Sequence, residues 1–168
     1  GTETQKLLEE NGHQVIGFDL MDGFDIRDFA QLDGVVAQEK PDRILHLAAI
    51  ARFSDADKDP RLALETNVMG TMNVVRVAKK YHVPLLYTST GSAIMPLNDY
   101  TPPFNEEIPA RGNSVYGTTK AQGEYFVREH QPYIILRLGH LYGKDKRYHG
   151  AISGFLDRMQ RGLSPILY

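Results

Sequence analysis

Cysteine is absent from all 168 residues, and with it go disulfides, thiolate zinc sites and cysteine nucleophiles. That absence fits a reducing cytoplasm. No apolar run approaches the roughly 20 residues that span a bilayer, and no basic-then-apolar leader opens the chain. A charge excess of one sign is missing too: the formal net charge is −2, so no general attraction to nucleic acid is expected. The nearest basic clusters, Lys79-Lys80 and Lys144 to Arg147, are not interleaved with aromatics in the manner of a nucleic-acid groove. His13, His46, His82, His130, His140 and His149 show no ligand spacing, such as two four apart on a helix, so no metal is expected. The Gly-x-Ser-x-Gly elbow of serine hydrolases is absent as well. A soluble cytoplasmic domain, away from membrane and nucleic acid, is the expectation.

What is present reads as one globular domain, 42% hydrophobic and 24% charged. Short runs apolar on both faces occur at Gln14–Asp19, Arg43–Ala48, Pro84–Ser89 and Tyr133–Leu138. Buried parallel strands read this way, because helices cover both sides of their sheet. Helical patterns lie between them, at Thr2–Asn11, Asp28–Glu39, Pro60–Tyr81, Val115–His130 and Gly150–Arg161. Asn11-Gly12 offers a left-handed stop to the first, and Asp59-Pro60 a capped start to the third. The alternation predicts an α/β fold with a doubly wound parallel sheet. One stretch breaks the rhythm: Gly91 to Asn113 carries Pro96, Pro102, Pro103 and Pro109, and a loop this long is expected to serve function. The chain opens in a helix with no strand before it and closes at Pro165–Tyr168 on what reads as a new strand. A piece of a longer protein, incomplete at both ends, is therefore expected.

Three places carry chemistry. Tyr116-Gly117-Thr118-Thr119-Lys120 sets a tyrosine and a lysine four apart on one face of a helix. A free phenol, with a pKa of about 10, is a poor base, and a neighbouring ammonium favours its phenolate. Such a tyrosine can take a proton from a hydroxyl or return one to a carbonyl oxygen. Upstream, Leu85 to Thr90 is a strand ending in the three hydroxyls Thr88, Ser89 and Thr90. Ligands of open α/β sheets bind beyond the carboxyl ends of the strands, where a hydroxyl can hold the reacting oxygen. Lastly, the run Gln14 to Asp19 ends in an acid, the residue type that accepts hydrogen bonds from an adenosine ribose and repels the extra phosphate of NADP. Asp19 thus argues for NAD over NADP.

These features together resemble the extended short-chain dehydrogenases/reductases, the NAD-dependent epimerases, dehydratases and 4-keto-reductases of nucleotide sugars, over essentially the whole chain. Gly1 is similar to the last glycine of the family's phosphate-binding turn, and Asp25-Ile26 to its adenine-contacting segment. His46-Leu47-Ala48-Ala49 resembles the segment that passes the cofactor, and Asn67 the asparagine that supports the active site. Thr90, Tyr116 and Lys120, with Glu124, match the catalytic set, and Arg137 to Gly143 the stretch beside the nicotinamide. The resemblance implies a Rossmann-type domain over 1–168, without its first strand and without the C-terminal substrate domain. It implies Tyr116 as acid/base, Lys120 on the nicotinamide ribose, and Thr90 on the substrate oxygen. Gly1, Asp19, Asp25, Ile26, Leu47, Ala48 and Ala49 would touch the cofactor, and Gly91, Ser92 and His140 the sugar. A homodimer through Pro60–Tyr81 and Val115–His130 is implied as well.

The chain also departs from the pattern. Gly91-Ser92 follows Thr90 where the 4,6-dehydratases carry an Asp-Glu pair, which argues against elimination of water. Asp57 to Asn67 and Asn113 to Lys120 resemble the dTDP-4-dehydrorhamnose reductases, with the UDP-glucose 4-epimerases almost as close. The expectation is an NAD-linked enzyme acting on a nucleotide sugar. The competing reading is a regulatory or sensor module that keeps the fold and the cofactor without turnover.

Overall fold

Side-chain caps set where the helices begin. In the computed structural model, which describes residues 1–94, 104–139, 141 and 157–162, Asp28 accepts hydrogen bonds from the Ala30 and Gln31 N–H groups and starts α2, Phe29–Glu39. Asp59 accepts from Leu62 N–H and starts α4, Pro60–Leu64, with proline in the first turn, where its missing N–H costs nothing. Ser114 accepts from Gly117 N–H and starts α6, Val115–Arg128. The other helices are α1, Thr2–Glu10; α3, Phe53–Lys58; and α5, Thr71–Tyr81. Gly12, at φ +82°, follows the end of α1 in the left-handed region.

The strands are β1, Ile44–His46; β2, Leu85–Thr90; and β3, Tyr133–Leu138, in the order β1-β2-β3. β1 and β2 run parallel, with Ile44 opposite Leu85 and His46 opposite Tyr87. The core lies against one face of this sheet. Val74, Val75, Val77 and Ala78 of α5 meet Leu32 and Val36 of α2, Leu85 and Tyr87 of β2, Val127 of α6, and Ile26. This is the parallel α/β arrangement that the alternation predicts.

Three expectations change. Gln14–Asp19 forms no strand. Its composition suits one, but ladder hydrogen bonds need a neighbour, and among the described residues no strand lies beside it. The continuous helix predicted over Pro60–Tyr81 is interrupted by a π-helical turn, Glu65–Gly70, between α4 and α5. Apolar periodicity survives such a widened turn, so the pattern does not reveal it. The third is α3, which no sequence signal announces: its N-cap, Arg52, makes no side-chain cap.

The chain divides into units 1–137 and 138–168. In the second, residues 157–160 are helical, within the span predicted for Gly150–Arg161. Among the described residues, no helix is long and apolar enough to cross a membrane, and no group of three or more His, Cys, Asp or Glu side chains could hold a metal ion.

Candidate active site

The carboxyl end of β2 is pressed against the first turn of α6. After Thr90 the chain makes a 3-10 turn, Gly91–Ala93, capped by Thr90 Oγ1, which accepts from Ser92 N–H at 3.2 Å. A Cβ on Gly117 would lie 2.5 Å from the Ser92 carbonyl oxygen, so only glycine lets the turn come this close. Arg111 and Gly112 donate their N–H groups to the Ala93 carbonyl at 2.7 and 2.8 Å. A side chain on Gly112, at φ +69°, would collide with the Gly117–Thr118 backbone. Thr90, Gly91 and Ser92 are thereby held beside the turn that carries Tyr116.

Beneath that turn, Lys120 is 2% exposed. Its ammonium lies 4.1 Å from the centroid of the Tyr87 ring, over the ring's negative face. Burial pulls its pKa down to about 7, against a partial restoring influence from the Glu124 carboxylate. The Tyr87 phenol is pushed up by burial, so it stays neutral and donates to the Lys120 carbonyl oxygen at 3.2 Å. Gly123 leaves room for that phenol, since a Cβ there would strike it.

Asn67, wholly buried in the π-turn, ties three elements together. Its Oδ1 accepts from Ile50 N–H at 2.8 Å, and its Nδ2 donates to the Ile50 carbonyl at 3.1 Å and to Thr119 Oγ1 at 3.0 Å. Thr119 Oγ1 in turn donates to the Tyr116 carbonyl at 2.9 Å. One amide therefore clamps the loop after β1, residues 47–52, to the Tyr116 turn. Leu47 and Ala49 in that loop are half-buried, and Ala48 is exposed.

Below the clamp, Thr71 Oγ1 donates its one proton to the Asn67 carbonyl at 2.6 Å. His46 Nε2, 2.8 Å from Thr71 Oγ1, must then be the donor, which puts the imidazole proton on Nε2. Burial, aided by the Lys120 charge, drives the His46 pKa down to about 3 and keeps the ring neutral.

Glu124, 1% exposed, anchors the far end of the helix. Its carboxylate accepts from Arg137 Nε and Nη2 at 2.9 and 2.8 Å, from Ser89 Oγ at 2.6 Å and from Arg128 at 3.2 Å. Burial works to raise this carboxyl, but the hydrogen bonds from Arg137 and Ser89 prevail and hold it below its ordinary value. Arg137 also donates to the Glu106 and Ile108 carbonyls, so the returning arm of the 91–113 loop is tied to β3.

The remaining predicted positions lie apart from this cluster. Gly1 is the exposed N-cap of α1. Asp19 caps a 3-10 turn, Leu20–Asp22, through Met21 N–H at 2.9 Å. The Asp25 carboxylate is held by Arg27, whose hydrogen bond lowers its pKa. Ile26 belongs to the core, so its side chain is not available to a ligand. Asp25, Arg27, Asp28, Glu65 and Met69 line an open depression of about 390 Å³ beside the π-turn. His140 lies outside the described residues. Sequence reasoning missed Phe53, whose ring meets that of Tyr116 edge-on, with centroids 5.2 Å apart at 69°. It also missed the bridging role of Thr119. The only signals were an aromatic standing alone in the charged stretch Arg52 to Lys58, and a threonine three residues past the tyrosine.

A parallel sheet with hydroxyl groups at a strand end, packed against a tyrosine–lysine helix, defines a Rossmann-type domain of the dehydrogenase/reductase class. The chain belongs to the NAD-dependent epimerase/dehydratase family, whose model matches residues 1–168. A putative UDP-glucose 4-epimerase of Methanocaldococcus jannaschii is 30% identical over 153 residues, which are 86% of this chain and 50% of that protein. The crystal structure of dTDP-4-dehydrorhamnose reductase from Bacillus anthracis, in complex with NADP, superposes with a TM-score of 0.84 at 28% identity, covering 96% of this chain and 56% of that one. UDP-glucose 4-epimerase of Thermotoga maritima, solved with UDP-glucose, gives 0.83 at 27% identity, covering 97% and 60%. The chain spans about half the length of the curated relatives it matches.

Proposed function

We propose that this chain is the cofactor-binding and catalytic part of an oxidoreductase or epimerase that works on a nucleotide sugar. The observation that carries the reading is Lys120: a lysine 2% exposed, its ammonium lying over the Tyr87 ring, one turn below Tyr116, at the carboxyl end of a parallel sheet. Such a group fits a ligand that brings hydroxyl oxygens, as the ribose of a nicotinamide nucleotide does.

Gly1, Asp19, Asp25, the Ile26 backbone, and Leu47, Ala48 and Ala49 would hold the rest of that nucleotide. The depression beside Asp25 would take its adenine end. The exposed Asp19 carboxylate favours NAD, since the additional phosphate of NADP would meet a negative charge. When bound, the nicotinamide supplies the acceptor or donor of hydride.

The chain's own residues handle the proton. Tyr116 Oη takes it from a sugar hydroxyl or returns it to a carbonyl. Lys120, when charged, favours the phenolate. Thr90 orients the reacting oxygen, and Asn67 holds the Tyr116 turn in place. Gly91 and Ser92, on the turn after Thr90, would face the sugar. Without acids after Thr90, oxidation, reduction or epimerisation is favoured over elimination of water. The working assembly is a cytoplasmic homodimer formed through α4, α5 and α6.

The test is Tyr116→Phe in the full-length protein, incubated with NAD and a panel of UDP- and dTDP-hexoses. Turnover should fall at least a hundredfold, the general range for loss of a positioned acid/base, while NAD binding is retained. Undiminished biological activity of the variant would instead favour the non-catalytic module.

A further inference from the structure

Phe53 is a large apolar side chain left 48% exposed in a charged six-residue helix, so the core does not account for its position. What it meets is Tyr116, edge to face, with ring centroids 5.2 Å apart at 69°. This is the geometry aromatic pairs prefer, because the positive rim of one ring faces the negative face of the other.

Both partners are fixed by one side chain. Asn67 grips Ile50 at its N–H and its carbonyl, three residues before Phe53. The same amide reaches Thr119, which holds the Tyr116 carbonyl. The backbones on either side of the ring pair therefore cannot drift apart while Asn67 is in place.

We infer that Phe53 is a positioning residue for Tyr116, setting the plane of the phenol and so the place of its Oη. The need for one is physical. The second side-chain torsion of tyrosine lies in a broad, two-fold well, so the plane of the ring depends on what packs against it as well as on the backbone. A phenol that transfers a proton must meet its partner within hydrogen-bond distance, and small misplacements cost rate steeply. An aromatic edge pressed on the ring narrows the swing. This inference rests on the assignment of Tyr116 as acid/base.

The experiment uses the full-length protein and two substitutions, Phe53→Leu, which keeps apolar bulk without the ring, and Phe53→Tyr, which keeps the ring. Half-exposure of the side chain makes both compatible with folding. With the UDP- or dTDP-sugar that the wild type turns over, Phe53→Leu should lower kcat about threefold to tenfold, the scale of an aromatic pair. KM should stay within about twofold, and Phe53→Tyr should restore most of kcat.

A second readout needs no turnover. The Tyr116 ring resonances, identified by their loss in Tyr116→Phe, should shift or sharpen in Phe53→Leu as ring motion is released. Unchanged kcat together with unmoved Tyr116 resonances would overturn the inference, as would a raised KM with kcat intact. If Tyr116→Phe itself turns over like the wild type, the acid/base assignment falls. If it is inactive and Phe53→Leu behaves as wild type, only the positioning role is lost.

Discussion

Lys120 is the residue whose environment has the clearest thermodynamic consequence. Its folded pKa of about 7 lies below the ordinary lysine value of 10.5. Between those two values the unfolded chain binds the proton more tightly than the folded one does, so stability rises with pH across the window. Lys120→Met removes the titration. The stability of the wild type should gain on that of the variant from about pH 7 to pH 10, read as urea midpoints at matched ionic strength. Parallel curves would mean that the ammonium is better solvated than its burial indicates. His46 acts in the same sense in the acid range. With a folded value of about 3 against 6.5, it contributes stability that is lost as pH falls from 6.5 towards 3. At neutral pH it is a neutral donor to Thr71 and carries no charge towards Lys120.

Between elements, the decisive contact is backbone to backbone. The 91–93 turn can lie on α6 only because Gly117 has no side chain. Gly117→Ala should push the turn away from the helix, at a cost of about 1–3 kcal/mol for overpacking, measurable by denaturant unfolding. It should also lower turnover by more than that loss of stability explains, because Thr90 moves with the turn. Wild-type stability and turnover in this variant would show that the turn yields easily. Local pattern made much of this level readable. The runs Pro84–Ser89 and Tyr133–Leu138 fall on β2 and β3 to within a residue, and Asp59 caps α4 where the Asp59-Pro60 pair sets its start. The π-turn was not readable, because widening a helix by one residue leaves its apolar stripe almost intact. Nor was the absence of a strand at Gln14–Asp19, because pairing depends on a neighbour outside the segment.

For the whole molecule, the proposed assembly makes its own prediction. Leu64, Met69 and Tyr125, on the stretches expected to meet a second copy, are 46%, 49% and 66% exposed. The full-length protein should sediment as a dimer, and Tyr125→Glu should shift it towards monomer by placing a charge in an apolar contact. A wild-type monomer at micromolar concentration would remove the homodimer from the proposal.

Sequence alone carried the fold class and the family, since period, caps and motif order are written residue by residue along the chain. It also offered Thr90, Tyr116 and Lys120 as candidates, because strand ends and helix spacing show which residues can share one end of a sheet. Tertiary structure alone decided how those candidates are held. Asn67 meets Ile50 and Thr119 across 17 and 52 residues of chain, Glu124 meets Ser89 and Arg137, and Phe53 meets Tyr116. Such partnerships leave no periodic trace, because each depends on where two distant backbones pass one another. Lys120 shows the division: its spacing from Tyr116 is a property of the helix, but its lowered pKa is a property of the burial that only the folded chain creates.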